Sequence, residues 1–164
     1  MLGPTRVASV AGGPTVDEAI PMIRAPTPEE RPLMSDLFTT PLFADLSRRE
    51  RAVAARLGTE VHLLDGHEVA RQGEPGRQFG VVLSGSLRVL RDGVEIARLS
   101  AGDCFGEISL LTGRLAPQTA TVEAFGRAEI LAFSRAEFAQ LLDTVPAFAA
   151  RVHLVGLRRL AHAA

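Results

Sequence analysis

Gly106 and Glu107 stand where a series of glycine-punctuated strands turns into a short helix, within the run Gly102-Asp103-Cys104-Phe105-Gly106-Glu107-Ile108-Ser109-Leu110-Leu111. A helix start leaves its first backbone N–H groups without internal partners, so the amides after Gly106 can face an anion. A glycine there lets a ligand approach the backbone closely. Glu107 then sets a carboxylate, an acceptor of hydrogen bonds, beside the same point. The junction is an anion site in outline. Cys104 lies close by, but a cysteine nucleophile needs a nearby histidine to which the sequence does not point. It reads as a small buried hydrophobe.

The elements that must position this junction follow from the turn residues. Between Glu60 and Ser134, short apolar runs alternate with glycine-containing turns, the spacing of an antiparallel roll or barrel. Strands are predicted over Glu60–Leu64, His67–Arg71, Gln78–Leu83, Ser86–Arg91, Val94–Leu99, Gln118–Ala124 and Ala128–Phe133. Asp92-Gly93 predicts a two-residue type I′ hairpin that sets Val89 opposite Ile96.

Helices flank the strands. Leu33 to Phe38 predicts a short helix, and Pro41 to Leu46 an apolar connector. Ser47 and Glu50 then form a capping box for a helix that stops at Gly58. After the strands, Ser134 and Glu137 repeat the box and open a helix with Phe138, Leu141, Leu142 and Val145 on one face. Pro146 starts a last helix, where Phe148, Val152 and Val155 are apolar on one side and Leu154, Leu157 and Ala161 on another. Residues 1–32 hold six of the ten prolines and no sustained period. They read as a Pro/Gly-rich flexible linker or tail ahead of a domain over residues 33–164.

Composition removes whole classes of chemistry. The 18 basic residues are all arginine, so no lysine is present to grip a nucleotide phosphate or form a Schiff base. A net charge of -1, without Trp or Tyr, leaves neither a field nor a stacking platform for nucleic acid. A single cysteine excludes an internal disulfide and fits a cytoplasmic setting. Only His62 and His67 fall among the strands, without the clustered spacing of a metal centre. No apolar run approaches the roughly 20 residues that span a bilayer, and membrane insertion by this chain is not expected.

With the glycine series Gly66, Gly73, Gly76, Gly85, Gly102 and Gly106, the runs Phe79-Gly80-Val81-Val82-Leu83-Ser84-Gly85 and Phe105-Gly106-Glu107, and Gln118-Thr119-Ala120-Thr121-Val122, the chain resembles the cyclic nucleotide-binding domain family, of the catabolite activator and kinase regulatory subunit type. The resemblance covers about residues 36 to 160. It implies a mainly β fold, an antiparallel, jelly-roll-like β-roll with N-terminal helices and a C-terminal lid helix. It also implies a phosphate-binding cassette in which Glu107 accepts a hydrogen bond from the ribose 2′-hydroxyl. Gly106, Ile108 and Ser109 contribute backbone groups around the ribose and cyclic phosphate, and Thr119 brings a hydroxyl toward the phosphate.

One position departs from the family pattern. Where the family places a phosphate-pairing arginine, this chain has Gln118, whose amide offers only neutral donors. Arg114, in the connector Thr112 to Pro117, is a candidate to return the missing charge from a different backbone position. The resemblance therefore implies a regulatory, non-enzymatic module that binds a cyclic nucleotide, cAMP first and cGMP second, and signals through its last helix. Its alternative is a pseudo-site, a fold that no longer binds nucleotide and serves interaction or dimerisation. No cofactor is expected. A homodimer or a tethered effector domain would be the partner through the last helix. Direct DNA binding is not expected, since no helix-turn-helix follows that helix in this sequence.

Overall fold

The computed structural model describes residues 6–9, 38, 40–112 and 116–163. Its strands are β1 (Arg6–Ser9), β2 (Thr59–Leu63), β3 (Glu68–Ala70), β4 (Gln78–Arg91), β5 (Val94–Leu99), β6 (Cys104–Phe105) and β7 (Thr121–Ser134). Its helices are α1 (Arg48–Leu57), α2 (Glu107–Thr112), α3 (Arg135–Thr144) and α4 (Pro146–Ala163). The strands form one sheet in the order β1-β2-β7-β4-β5, with β3 added on β7 and β6 on β4. All pairings are antiparallel except β1 on β2.

The two 14-residue strands make the roll, because each changes partners along its length. β7 pairs with β2 through Ala128 to Ala132 and with β3 at Val122 and Glu123. β4 pairs with β6 at Gly80 and Val81 and with β5 from Leu87 onward. The bends fall at Gly85 and Gly126, both at φ 74°. A side chain at Gly85 would also meet the Arg127 carbonyl at 2.4 Å. These two glycines were predicted to end strands; instead they curve strands that continue, since only glycine adopts that backbone without strain.

Alternation along β4 and β7 feeds two cores. Val81, Leu83, Leu131 and Phe133 face the helices and pack with Phe43, Phe79, Phe138, Leu141, Phe148 and Val152. Val82, Leu87, Ile130 and Ala132 face the roll interior with Leu63, Leu99, Phe105 and Val122. Period-two strands buried on both faces explain why so much of the chain is apolar.

Both predicted capping boxes are present. Ser47 and Glu50 close one, Ser134 and Glu137 the other, each side chain accepting from the other residue's backbone N–H. α1 stops at Gly58, but in an extended conformation rather than a left-handed one. The residue is small there because a Cβ would lie 2.6 Å from Leu131. At the β4–β5 hairpin Asp92 and Gly93 have φ 52° and 78°, as a type I′ turn needs. Val89 nevertheless pairs with Ala97, not Ile96, because a bulge shifts the register between Val89 and Leu90.

Further corrections concern the chain's start and the strand after α2. Within the segment read as linker, Arg6–Ser9 forms β1 and pairs in parallel with Thr59–His62. β7 begins at Thr121, so Gln118 and Thr119 lie before the strand instead of inside it. The predicted helix at residues 33–38 lies, save Phe38, outside the described residues.

Candidate functional site

β6 delivers Phe105 against β4, where Gly80 leaves room for its ring; a Cβ at Gly80 would sit 2.2 Å from Phe105 Cζ. Gly106 then turns the chain at φ 88°, with the Gln78 carbonyl where a side chain would be. No other residue fits both conditions. The turn starts α2 with Glu107 directed inward, and its side chain is only 1% exposed. Ser109 is buried as well, and its hydroxyl donates to the Pro117 carbonyl at 3.3 Å. That bond ties α2 to the returning chain. Gln118 follows, with its N–H bonded to the Glu74 carbonyl and its own carbonyl accepting from Gly73.

These elements enclose a cavity of about 500 Å³ at the open end of the roll interior. Gly106, Glu107, Ile108, Gln118 and Thr119 all line it, opposite Val89, Ile96, Ala97 and Leu99. The β5 bulge is what lets the successive residues Ile96 and Ala97 both reach its wall. Five of the seven residues picked out in the sequence thus meet at one cavity. Ser109 is not on the wall but braces it from behind, and Arg114 lies outside the described residues. The Gln118 amide nitrogen also approaches Gly76, at 3.1 Å from where a Cβ would stand. Gln118 therefore forms a partition between this cavity and a second cleft of about 510 Å³ lined by Arg71, Glu74, Gln78 and Glu137.

Two arginines that sequence reasoning missed line the cavity. Arg159 of α4 donates from Nη1 to Glu107 Oε1 at 2.6 Å, across 52 residues of sequence. Burial works to lower the Arg159 pKa, yet the charge of Glu107, with Cys104 and Asp103 adding to it, outweighs this and holds it above the ordinary value. α4 comes close enough for this contact because Gly156 crosses α2; a Cβ there would be 3.1 Å from Leu111. Arg159 continues the phase of Phe148, Val152 and Val155, so a charge on a buried stripe was the signal available in the sequence. The other is Arg91, at the end of β4, whose Nε donates to the Thr119 carbonyl at 3.4 Å. Cys104 is buried as expected, with burial and then the Glu107 charge pushing its thiol pKa up to about 12.

Leu110 and Leu111 pack on the helix-side core, whereas Ile108 faces the cavity. On the outer face of α4, Ala147, Ala150, Leu154, Leu157 and Ala161 are exposed, Leu157 at 65%. No helix among the described residues is long and apolar enough to cross a membrane.

Comparison with known proteins places this geometry. The family described as "Cyclic nucleotide-binding domain" matches residues 60–145. A cAMP-dependent protein kinase regulatory subunit of Debaryomyces hansenii is 36% identical over 103 residues, covering 62% of this chain and 22% of that protein. Among solved structures, the catabolite activator protein of Thermus thermophilus is 30% identical with a TM-score of 0.67, covering 76% of this chain and 60% of that one. The regulatory domain of Toxoplasma gondii PKA, solved with cAMP, is 27% identical with a TM-score of 0.62, covering 73% of this chain and 47% of that one. The chain spans about a quarter or less of the length of the curated kinase relatives it matches.

Proposed function

The chain belongs to the cyclic nucleotide-binding domain family, and on that premise we propose that the roll cavity binds a cyclic nucleotide, cAMP before cGMP, and reports its occupancy through α4. The observation that carries this reading is the convergence of Gly106, Glu107, Ile108, Gln118 and Thr119 on one cavity. Its volume of about 500 Å³ lies within the range of small-molecule sites. The choice of cAMP is supported by the relatives, which are named as cAMP-dependent or solved with cAMP.

In this reading Glu107 accepts the ribose hydroxyl while the backbone of Gly106 and Ile108 frames the sugar, and Gln118 and Thr119 lie toward the phosphate. A carboxylate has room for several donors, so Glu107 can hold the ligand hydroxyl and Arg159 together. The ligand is then joined to α4 through one side chain. Occupancy shifts the position of α4 by the ligand's differential affinity for its two positions. The outer stripe Ala147, Ala150, Leu154, Leu157 and Ala161 alternates steps of three and four, the spacing of a two-helix seam. A second copy of the chain is assigned to it, with a tethered effector domain as the other partner for the same helix.

The pseudo-site reading draws on two observations: the neutral amide of Gln118, and a Glu107 already engaged by Arg159. Titration with a fluorescent cyclic nucleotide separates the two. Cyclic nucleotide sensing predicts a saturable signal that cAMP displaces and Ala97→Phe, which fills the cavity from β5, removes. A silent wild type that begins to bind as Gln118→Arg supports the pseudo-site.

A further inference from the structure

Gln118 leaves the cassette without the cation that a cyclic phosphodiester calls for, and the cavity holds a different one. From Leu87 the inward face of β4 runs through Val89 to Arg91, and both Val89 and Arg91 line the cavity wall. Leu90 pairs with Thr121, so the end of β4 lies beside the stretch that carries Gln118 and Thr119. The Arg91 guanidinium reaches that stretch, with its Nε on the Thr119 carbonyl at 3.4 Å. The remaining guanidinium N–H groups have no carboxylate partner among the described residues. Arg159, the other cavity cation, is committed to Glu107 at 2.6 Å. The two arginines therefore approach one cavity with different duties already set by their neighbours.

We propose that Arg91 is the phosphate-anchoring residue of this site, reaching from the β4–β5 hairpin to the ligand's phosphodiester in place of the cassette arginine. This rests on the reading that the cavity takes a cyclic nucleotide, and it identifies the residue that makes such binding compatible with Gln118. A planar guanidinium offers two parallel donors to two phosphate oxygens, which a glutamine amide does not. Because Arg91 comes from a hairpin rather than from the returning chain, the anion is gripped from the roll side. Gln118 is then free to brace Gly76 and the turn it bonds.

The test is calorimetric titration of the full chain with cAMP, for the wild type, Arg91→Gln, Arg91→Lys, and Arg91→Gln combined with Gln118→Arg, with thermal unfolding measured for each. Arg91→Gln is expected to weaken cAMP by about 10- to 100-fold, the loss of a hydrogen bond to a charged group, while the melting temperature stays within a few degrees. Arg91→Lys keeps the charge and loses less. Gln118→Arg restores affinity to Arg91→Gln by returning a cation from the family's usual position, and the unchanged melting temperature of Arg91→Gln separates a lost ligand contact from a structural role for Arg91. Wild-type binding that Arg91→Gln changes by less than about threefold overturns the assignment and leaves the cavity reading intact. A loss that Gln118→Arg does not repair also overturns it. A wild type that binds no cAMP up to millimolar concentration removes both readings together.

Discussion

Arg159→Ala isolates the contact between the cassette and α4. In the folded protein Glu107 is almost fully buried, and its hydrogen bonds among the described residues come from Arg159 at 2.6 Å and, weakly, from Cys104 Sγ at 4.0 Å. Truncating Arg159 strands that carboxylate. Removing one partner of a fully buried ion pair costs about 3–5 kcal/mol. The Arg159 side chain keeps 35% of its exposure, so solvent already screens the pair and admits water to the gap. A loss of about 2 kcal/mol is the consistent figure after that discount. At about 3–4 °C per kcal/mol for a domain of this size, the melting temperature falls by about 6–8 °C. Glu107→Gln costs less, because Arg159 can turn toward solvent, and the double variant should be little worse than Arg159→Ala. The assay is urea unfolding of all four proteins, read as a double-mutant cycle. A coupling energy below about 0.5 kcal/mol would refute the view that this pair locks α4 to the cassette.

Leu157→Glu together with Leu154→Glu places charge on the exposed stripe of α4; light scattering should then report a monomer where the wild type is dimeric, and a wild type that is monomeric at about 100 μM rules out the seam. Cys104, with a thiol pKa of about 12, should resist a thiol reagent at pH 8 in the native protein and react at once in denaturant; rapid native labelling would contradict its burial. His67 is half-buried, and its pKa is lowered by burial against the opposing pull of Glu68. The neutral form is thus favoured by the fold, so its contribution is constant above the unfolded value near 6.5 and becomes destabilising as pH falls below it. The stability of the wild type minus that of His67→Asn should therefore drop between pH 7.5 and 5.5, and a difference that stays flat or rises would show the sign to be wrong.

What the sequence made legible was local. Both capping boxes depend on residues three apart, and both formed as read. The Gly106-Glu107 turn was legible because a strand end, a glycine and a helix start are adjacent in the chain. Gly85 and Gly126 were harder, since a positive-φ glycine ends a strand in a tight turn but bends one that keeps pairing on both sides, and only the partner strands decide which. The same holds for the β5 bulge, where the two-residue turn alone predicted the register of Ile96. β1 joins the sheet by pairing with residues about 50 positions away, a relation that four residues of local sequence do not carry. Arg159 had a signal, its phase with Phe148 and Val152, but its partner 52 residues earlier did not. Arg91 lacked even that, since a charged residue at a hairpin end is ordinarily solvated.

The measurement that bears most directly on the central claim is a ¹⁵N–¹H spectrum of the chain titrated with cAMP into the millimolar range, where even a weakened site saturates. Binding in the roll cavity predicts concentration-dependent shifts of the Gly106, Glu107 and Ile108 amides and of Gln118 to Ala120, followed by Arg159 and its neighbours on α4, with the cleft around Arg71 and Glu137 unmoved. A spectrum unchanged by the nucleotide, or shifts centred on that second cleft, would contradict it.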